Sequence, residues 1–213
     1  MGLVKGKVTG SAGNAEPKPE RNREQLAAAL EDADAAVRRH AAREIAGCLD
    51  AGNVLVSCLK REQDIAVREA ILNTLVRLND PSVSSGLADC LRSEDAALRN
   101  EAIEALREQA GSGGRAGAVA PVLAKLLADP DPDVRIFAVN IIESVRHPDV
   151  ERWLIEVIGR DMHVNVCASA VDLLCEVGTE AAMEPLRRLK ARFASEAYIQ
   201  FAADLALKRI GEI

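Results

Sequence analysis

A histidine and a cysteine four residues apart, His163 and Cys167, would share one face of a helix that begins by residue 163. An imidazole and a thiolate so placed can ligate zinc, but a metal centre wants three or four ligands in defined geometry. Asp161 and Cys175 are the only nearby recruits and both are awkwardly placed, so the spacing predicts buried packing and no metal. Cys58 and Cys90 occupy near-equivalent positions in successive apolar segments. Stacked helices sit about 8–10 Å apart and a disulfide needs Cα atoms within about 7 Å, which makes core packing the expectation for both. His147 precedes a proline in a predicted turn and is expected to cap it or to face solvent. His40 lies among Arg38, Arg39 and Arg43. That cluster could hold a phosphate or an acidic partner, but with Glu44 beside it a solvated helix face is the expectation. The sequence contains no P-loop, no G-x-G-x-x-G after a strand, no G-x-S-x-G and no H-E-x-x-H. No catalytic residue, cofactor or metal ligand is therefore assigned.

Whatever positions a site in this chain is helical. Of the 213 residues, 48% are hydrophobic but only 2% are aromatic. Sheets draw on aromatic and β-branched side chains, whereas an apolar content dominated by Ala, Leu, Val and Ile suits close-packed helices, so all-β architectures are excluded. Apolar runs are only a few residues long, too short to span a bilayer. A net charge of −6 argues against non-specific binding to nucleic acid or acidic membranes. Residues 1–20, rich in Gly, Pro, Ser and Lys and without sustained periodicity, predict a disordered tail. That stretch lacks the apolar core of a signal peptide, and the five cysteines include no C-x-x-C pair, so the expected compartment is the cytoplasm.

One phrase recurs along the chain: DAAVRRHAAREI (34–45), DIAVREAILNTL (64–75), DAALRNEAIEAL (95–106) and DPDVRIFAVNII (131–142). Its anchors are Val37, Val67, Leu98 and Val134, followed in phase by the degenerate copies at Val166 and Ile199. Anchor spacings are 30, 31, 36, 32 and 33 residues. Each anchor is followed by apolar residues four and eight positions on, which lie within about 80° of one another on a helix. Asp34, Asp64, Asp95 and Asp131, three residues before the anchors, sit where N-caps belong. A second apolar segment precedes each phrase, so each unit is a helical hairpin. The joint Gly111–Gly117, which accounts for the long spacing, reads as a flexible loop. A two-helix unit cannot bury its own stripe and must stack on neighbours. The prediction is an all-α, right-handed α-solenoid of about six helical hairpins, one continuous domain over residues 21–213.

The D-x-x-V/L-R phrase resembles the HEAT repeat, and more closely the short-period repeats of phycobilisome-lyase-type HEAT proteins. The resemblance covers nearly the whole chain after the tail. It implies that the arginine after each anchor pairs with the aspartate of a neighbouring repeat. Arg38, Arg68, Arg99 and Arg135 match that position, whereas Cys167 and Gln200 depart from it, so the ladder is expected to fail toward the C-terminus. It also implies that the face of the second helices opposite the core lines a concave binding surface.

The residues two, six and nine positions after each anchor point away from the core. In the first three repeats these include Arg39, Arg43, Glu69, Asn73, Asn100, Glu104 and Arg107, a polar groove of mixed sign. In the last three they include Ile136, Asn140, Glu143, Asp172, Phe201 and Leu205. Exposed apolar groups often mark interfaces, so Ile136, Phe201 and Leu205 are candidate contacts. For Phe201 and Leu205 the other reading is a terminal cap in which the last helix tilts and buries them. The function expected from these features is a non-enzymatic scaffold or regulatory adaptor that binds a protein partner along its concave face. It would bind no nucleic acid or membrane, as a monomer or weak homodimer. The resemblance offers a bilin lyase or lyase subunit as the alternative. A HEAT-like DNA glycosylase is disfavoured by the charge and the single Trp. An accessory role in a bacterial signalling cluster rests on no particular residue.

Overall fold

Aspartates set the start of the second helix in four of the repeats. Asp34 accepts from the amide of Ala36 at 2.8 Å, and Asp64 from Ala66 and Val67 at 2.9 and 3.1 Å. Asp95 accepts from Ala97 and Leu98 at 2.9 and 3.3 Å, and Asp131 from Asp133 at 2.9 Å. Each carboxylate satisfies first-turn amides that have no partner inside the helix. Pro132 then occupies the first turn of its helix, where a missing N–H costs nothing.

The computed structural model describes residues 22–78, 80–111 and 116–211. The tail reading for residues 1–20 lies outside these, as does Asn79. Among the described residues there are twelve α-helices and no strand. The first helices of the six hairpins are α1 (Arg23–Ala29), α3 (Ala51–Leu59), α5 (Pro81–Cys90), α7 (Ala116–Leu126), α9 (Val150–Arg160) and α11 (Glu180–Arg192). The second helices are α2 (Ala35–Glu44), α4 (Ile65–Arg77), α6 (Ala96–Gly111), α8 (Pro132–Ile142), α10 (Val164–Val177) and α12 (Ala197–Gly211). A 3₁₀ turn, Ile45–Gly47, continues α2. The glycine-rich joint is shorter than its composition suggests. Gly111 still belongs to α6 and Ala116 already opens α7, while residues 112–115 lie outside the described set.

The even helices pack on one another in order, and the apolar stripe read from the repeat is their shared seam. Ala41, Ala102, Ala138, Ala170 and Ala203 are fully buried, as are Ile71, Leu75, Leu106 and Leu174. Small residues at the middle of the stripe let neighbouring backbones come close while the larger ones fill the layer between. The anchor Val37 is only half-buried, unlike Val67, Leu98, Val134, Val166 and Ile199; among the described residues no second helix precedes α2 to cover it. The odd helices form a less continuous layer. α3, α5 and α7 pack in series, as do α9 and α11, but among the described residues α1 and α3, and α7 and α9, approach each other at few points. One approach in this layer leaves no room for a side chain. A Cβ on Gly86 of α5 would lie 2.7 and 2.8 Å from the two methyls of Val56 on α3.

The arginines after the anchors cap the chain where α-helix gives way to turn, rather than forming a uniform Arg–Asp ladder. Nη1 of Arg38 donates to the carbonyls of Asp32 and Ala33, and that of Arg99 to Ser93 and Glu94. Nη1 of Arg135 likewise donates to Asp129 and Pro130. The carboxylate partners vary. Arg38 takes Glu62 in a fork at 2.8 and 2.9 Å, and Arg68 bonds the cap Asp95. Asp129 is taken by Arg92, which leaves Arg99 with carbonyls alone. The carboxylate pairing does stop after Arg135, but the carbonyl capping does not. Cys167 Sγ reaches the carbonyl of Asp161 at 3.3 Å, and Arg192 from α11 donates to the same oxygen at 3.0 Å. In the last repeat Gln200 donates to the carbonyls of Lys190 and Phe193. These donors satisfy carbonyls that have no partner inside a helix where the chain turns.

Candidate interaction face

The residues with metal-ligand or nucleophile chemistry are absorbed into structure. His163 is the N-cap residue of α10, and its carbonyl accepts from the Cys167 amide at 3.2 Å, while the Cys167 thiol is buried and engaged with Asp161 and Arg192. Burial pushes the Cys167 thiol up, and burial does the same for Cys58 and Cys90. All five cysteines are free thiols. His147 stacks on Trp153 with ring centroids 5.1 Å apart, and its Nδ1 accepts from the amide of Asp149. His40 pairs with Glu44 at 2.8 Å on the outer face of α2. Among the described residues no group of three or more His, Cys, Asp or Glu is placed to hold a metal ion.

The face of the even helices turned away from the core carries the remaining candidates. Their stripe positions are committed to the seam, so the residues two and six positions past each anchor project outward. Arg39, Arg43, Glu69, Asn73, Asn100, Glu104 and Asn140 are all exposed. Shallow grooves run between successive even helices and bring these residues together in sets. Arg43 and Asn73 line a groove of about 360 Å³ between α2 and α4. Glu69, Asn73, Asn100 and Glu104 line one of about 460 Å³ between α4 and α6. Asn140 lines a third, of about 230 Å³, between α8 and α10, together with Glu143 and Asp172.

The charges on this face are segregated rather than mixed. Arg43 on α2 shares the α2–α4 groove with Arg77 on α4, and Arg39 lies one turn before Arg43 on α2. The α4–α6 groove is lined by Glu69, Glu101, Glu104 and Glu108 and by no cation. Arg107, expected on this face, is drawn to Glu143 and Ser144 at 3.0 Å each and bridges α6 to the end of α8. Burial raises the Glu101 carboxyl above its usual range, opposed by Arg68 at 3.8 Å. Glu101 and Glu108 were missed in the sequence because they lie three and ten positions past the anchor, one step outside the positions taken to face outward.

The three apolar candidates part company. Ile136 is half-buried and packs against the core, because α8 has even helices on both sides. Phe201 and Leu205 are 67% and 48% exposed. α12 has a neighbour on one side only, and it closes the stack with Ile199, Ala202, Ala203, Ala206 and Ile210 instead. The terminal-cap reading of Phe201 and Leu205 is therefore not realised. Tyr198, a turn earlier on α12, donates to both oxygens of Asp172 at 2.8 and 2.9 Å and ties α12 to α10.

The profile of the family described as HEAT repeats matches residues 23–107 and 119–208. No curated protein matches the chain. Among solved structures, it is similar to the third TOG domain of Drosophila melanogaster Mini spindles, with 18% identity, 87% of this chain and 93% of that one covered and a TM-score of 0.54. A designed armadillo repeat protein aligns at 17% identity over 87% and 98% of the two chains with a TM-score of 0.46. The complex of CpcE and CpcF of phycocyanin lyase from Nostoc aligns at 18% identity over 95% and 100% with a TM-score of 0.38. No helix among the described residues is long and apolar enough to cross a membrane.

Proposed function

Because the chain belongs to the HEAT-repeat family, we propose that it is a protein-interaction module, a scaffold or regulatory adaptor that holds a segment of a partner along the concave face of its even helices. One observation supports this most. Glu69, Asn73, Asn100 and Asn140 stand in grooves on a single face, and no hydrogen bond or ion pair within the described chain engages them. Polar side chains that the fold neither caps nor pairs with are available to a ligand, and asparagine offers both a donor and an acceptor. The reading assigns no catalytic step. It takes residues 21–213 as one solenoid, with residues 1–20 as a tail, and it excludes nucleic acid because the carboxylates of the face repel phosphates. The working unit in this reading is a monomer or weak homodimer.

Grooves filled from within provide the test. Asn73→Arg and Asn140→Arg place long side chains in the grooves, while Ser57→Arg and Ser85→Arg alter exposed positions on the odd helices. All four change exposed side chains, so each should alter stability by no more than about 0.5 kcal/mol. Partners recovered with the wild-type chain from its native host should be lost with the first pair and kept with the second. Equal recovery with all four, at unchanged stability, removes the concave-face reading.

A further inference from the structure

The α4–α6 groove differs from the other two in its floor. Its floor is apolar, formed by Leu72 and Val76 of α4 and Ala105 of α6, and Ile65 stands 75% exposed at one end. It is the largest of the three grooves, and from Ile65 to Val76 it extends about 16 Å at 1.5 Å rise per residue. A segment of about five extended residues spans that length. Its charged lining is Glu69, Glu101, Glu104 and Glu108, beside Asn73 and Asn100, whereas the α2–α4 groove carries Arg43 and Arg77 and the smaller α8–α10 groove is also acidic. At the inner edge Glu101 has one carboxylate oxygen, Oε2, that is buried without a hydrogen bond among the described residues. Arg68 Nε, itself without a hydrogen bond, faces it at 3.8 Å as an ion pair, while Nη2 of the same arginine bonds Asp95. The Glu101 side chain is 27% exposed, so its carboxyl adds to the acidic lining that a cationic donor entering the groove would meet.

We propose that the α4–α6 groove seats a cationic amphipathic segment of a partner protein, with apolar side chains on Leu72, Val76 and Ala105 and Lys or Arg side chains against Glu69, Glu101 and Glu104. The proposal rests on the concave-face reading and adds the site and the chemistry of the partner. The apolar floor supplies contact area, and the rim decides charge. Burying acids beside a neutral or acidic segment would desolvate them without compensation, so the groove discriminates as well as attracts. Arg43 and Arg77 disfavour the same segment in the α2–α4 groove.

Capped ten-residue peptides in which two leucines are flanked by lysines, by serines or by glutamates test this, with binding read by fluorescence anisotropy. The lysine peptide should bind the wild-type chain most tightly, and its affinity should fall as salt rises from about 50 to about 300 mM. Glu69→Gln with Glu104→Gln should weaken the lysine peptide about fivefold and leave the serine peptide unchanged, in line with two partly exposed ion pairs. Ile65→Ser should weaken the lysine and serine peptides alike. All three positions are exposed, and the melting midpoint of each variant verifies that the fold is kept. Equal binding of the three peptides, no binding of the lysine peptide, or lysine-peptide binding indifferent to these substitutions overturns the proposal. Any of those results alongside loss of natural partners in Asn140→Arg leaves the concave-face reading standing and removes only the cationic segment.

Discussion

Arg135 of α8 holds Asp161, just beyond α9, by two parallel hydrogen bonds, Nε to Oδ2 at 2.7 Å and Nη2 to Oδ1 at 3.1 Å. Burial alone would push the Asp161 carboxyl up; the guanidinium and the amide of His163 hold it below its usual value. The side chains are 15% and 8% exposed. Asp161→Ala leaves an arginine largely buried without its carboxylate and should cost about 3 kcal/mol, whereas Arg135→Leu with Asp161→Leu should cost less than the sum of the single changes. Urea unfolding of the single and double variants measures the coupling. Strict additivity would show that the pair contributes nothing as a pair.

The pairing of Arg38 with Glu62 makes the fold acid-sensitive. Arg38 holds the Glu62 carboxyl at about 2, against burial, where the usual value is 4.5. A carboxyl depressed in the folded state contributes stability above its unfolded value, and that contribution is lost as pH falls through the folded one. Stability should therefore decline from about pH 4.5 toward about pH 2. Glu62→Gln should be less stable at pH 7, on the order of 1–2 kcal/mol after solvent screening of a partly wet pair, and should lose less across the acid window. Melting curves at stepped pH measure both; parallel curves for the two proteins would dissociate Glu62 from the acid response.

Gly86→Ala should destabilise the chain even though alanine is the better helix former by about 1 kcal/mol. The new methyl would meet the Cγ atoms of Val56 at 2.7 and 2.8 Å and its Cβ at 3.2 Å. Valine is stiff at χ1 and cannot swing clear, so α3 and α5 must separate. A net loss of about 1–3 kcal/mol by chemical denaturation is the expected outcome. A rise in stability would mean that the two helices part at little cost.

Phe201→Ser with Leu205→Ser should leave the melting midpoint nearly unchanged, within about 0.5 kcal/mol, because both side chains already face solvent. Ile199→Ala on the same helix, two residues before Phe201, should cost about 2–5 kcal/mol because Ile199 is fully buried. Sedimentation of the double variant adds the functional readout. If the wild-type chain self-associates and the double variant does not, the exposed pair forms the homodimer contact.

The fold was readable because its determinants are local. Each cap aspartate and its anchor lie within one turn, and the alanine four residues on from most anchors falls on the same face at 3.6 residues per turn. The turn-capping network was only half readable. Arg38 and Arg135 stand in the phrase, but Glu62 and Asp161 lie before the next phrase begins, and Arg192 comes from another helix altogether. No period within the phrase points to a donor 25 residues further along the chain. The candidate face was legible as single positions and not as a surface. The acidic groove depends on how far α4 and α6 turn toward each other, and that rotation brings in Glu101 and Glu108. Ile136 shows the converse, an outward position in the helical wheel that neighbours on both sides partly cover.

The thin approach between α7 and α9 has a mechanical consequence. A stack of two layers resists bending because one layer is stretched while the other is compressed, across a lever arm set by the layer spacing. Between the fourth and fifth hairpins the odd layer transmits little load, while α8 and α10 remain packed and Arg135 stays fastened to Asp161. Flexural stiffness is reduced at that joint, where the even layer carries the load. A force pulling on the two ends of the chain bends the stack readily at this point, so the curvature of the even face changes with it. The groove between α8 and α10, with Asn140 in it, lies at that joint and opens or narrows with that curvature.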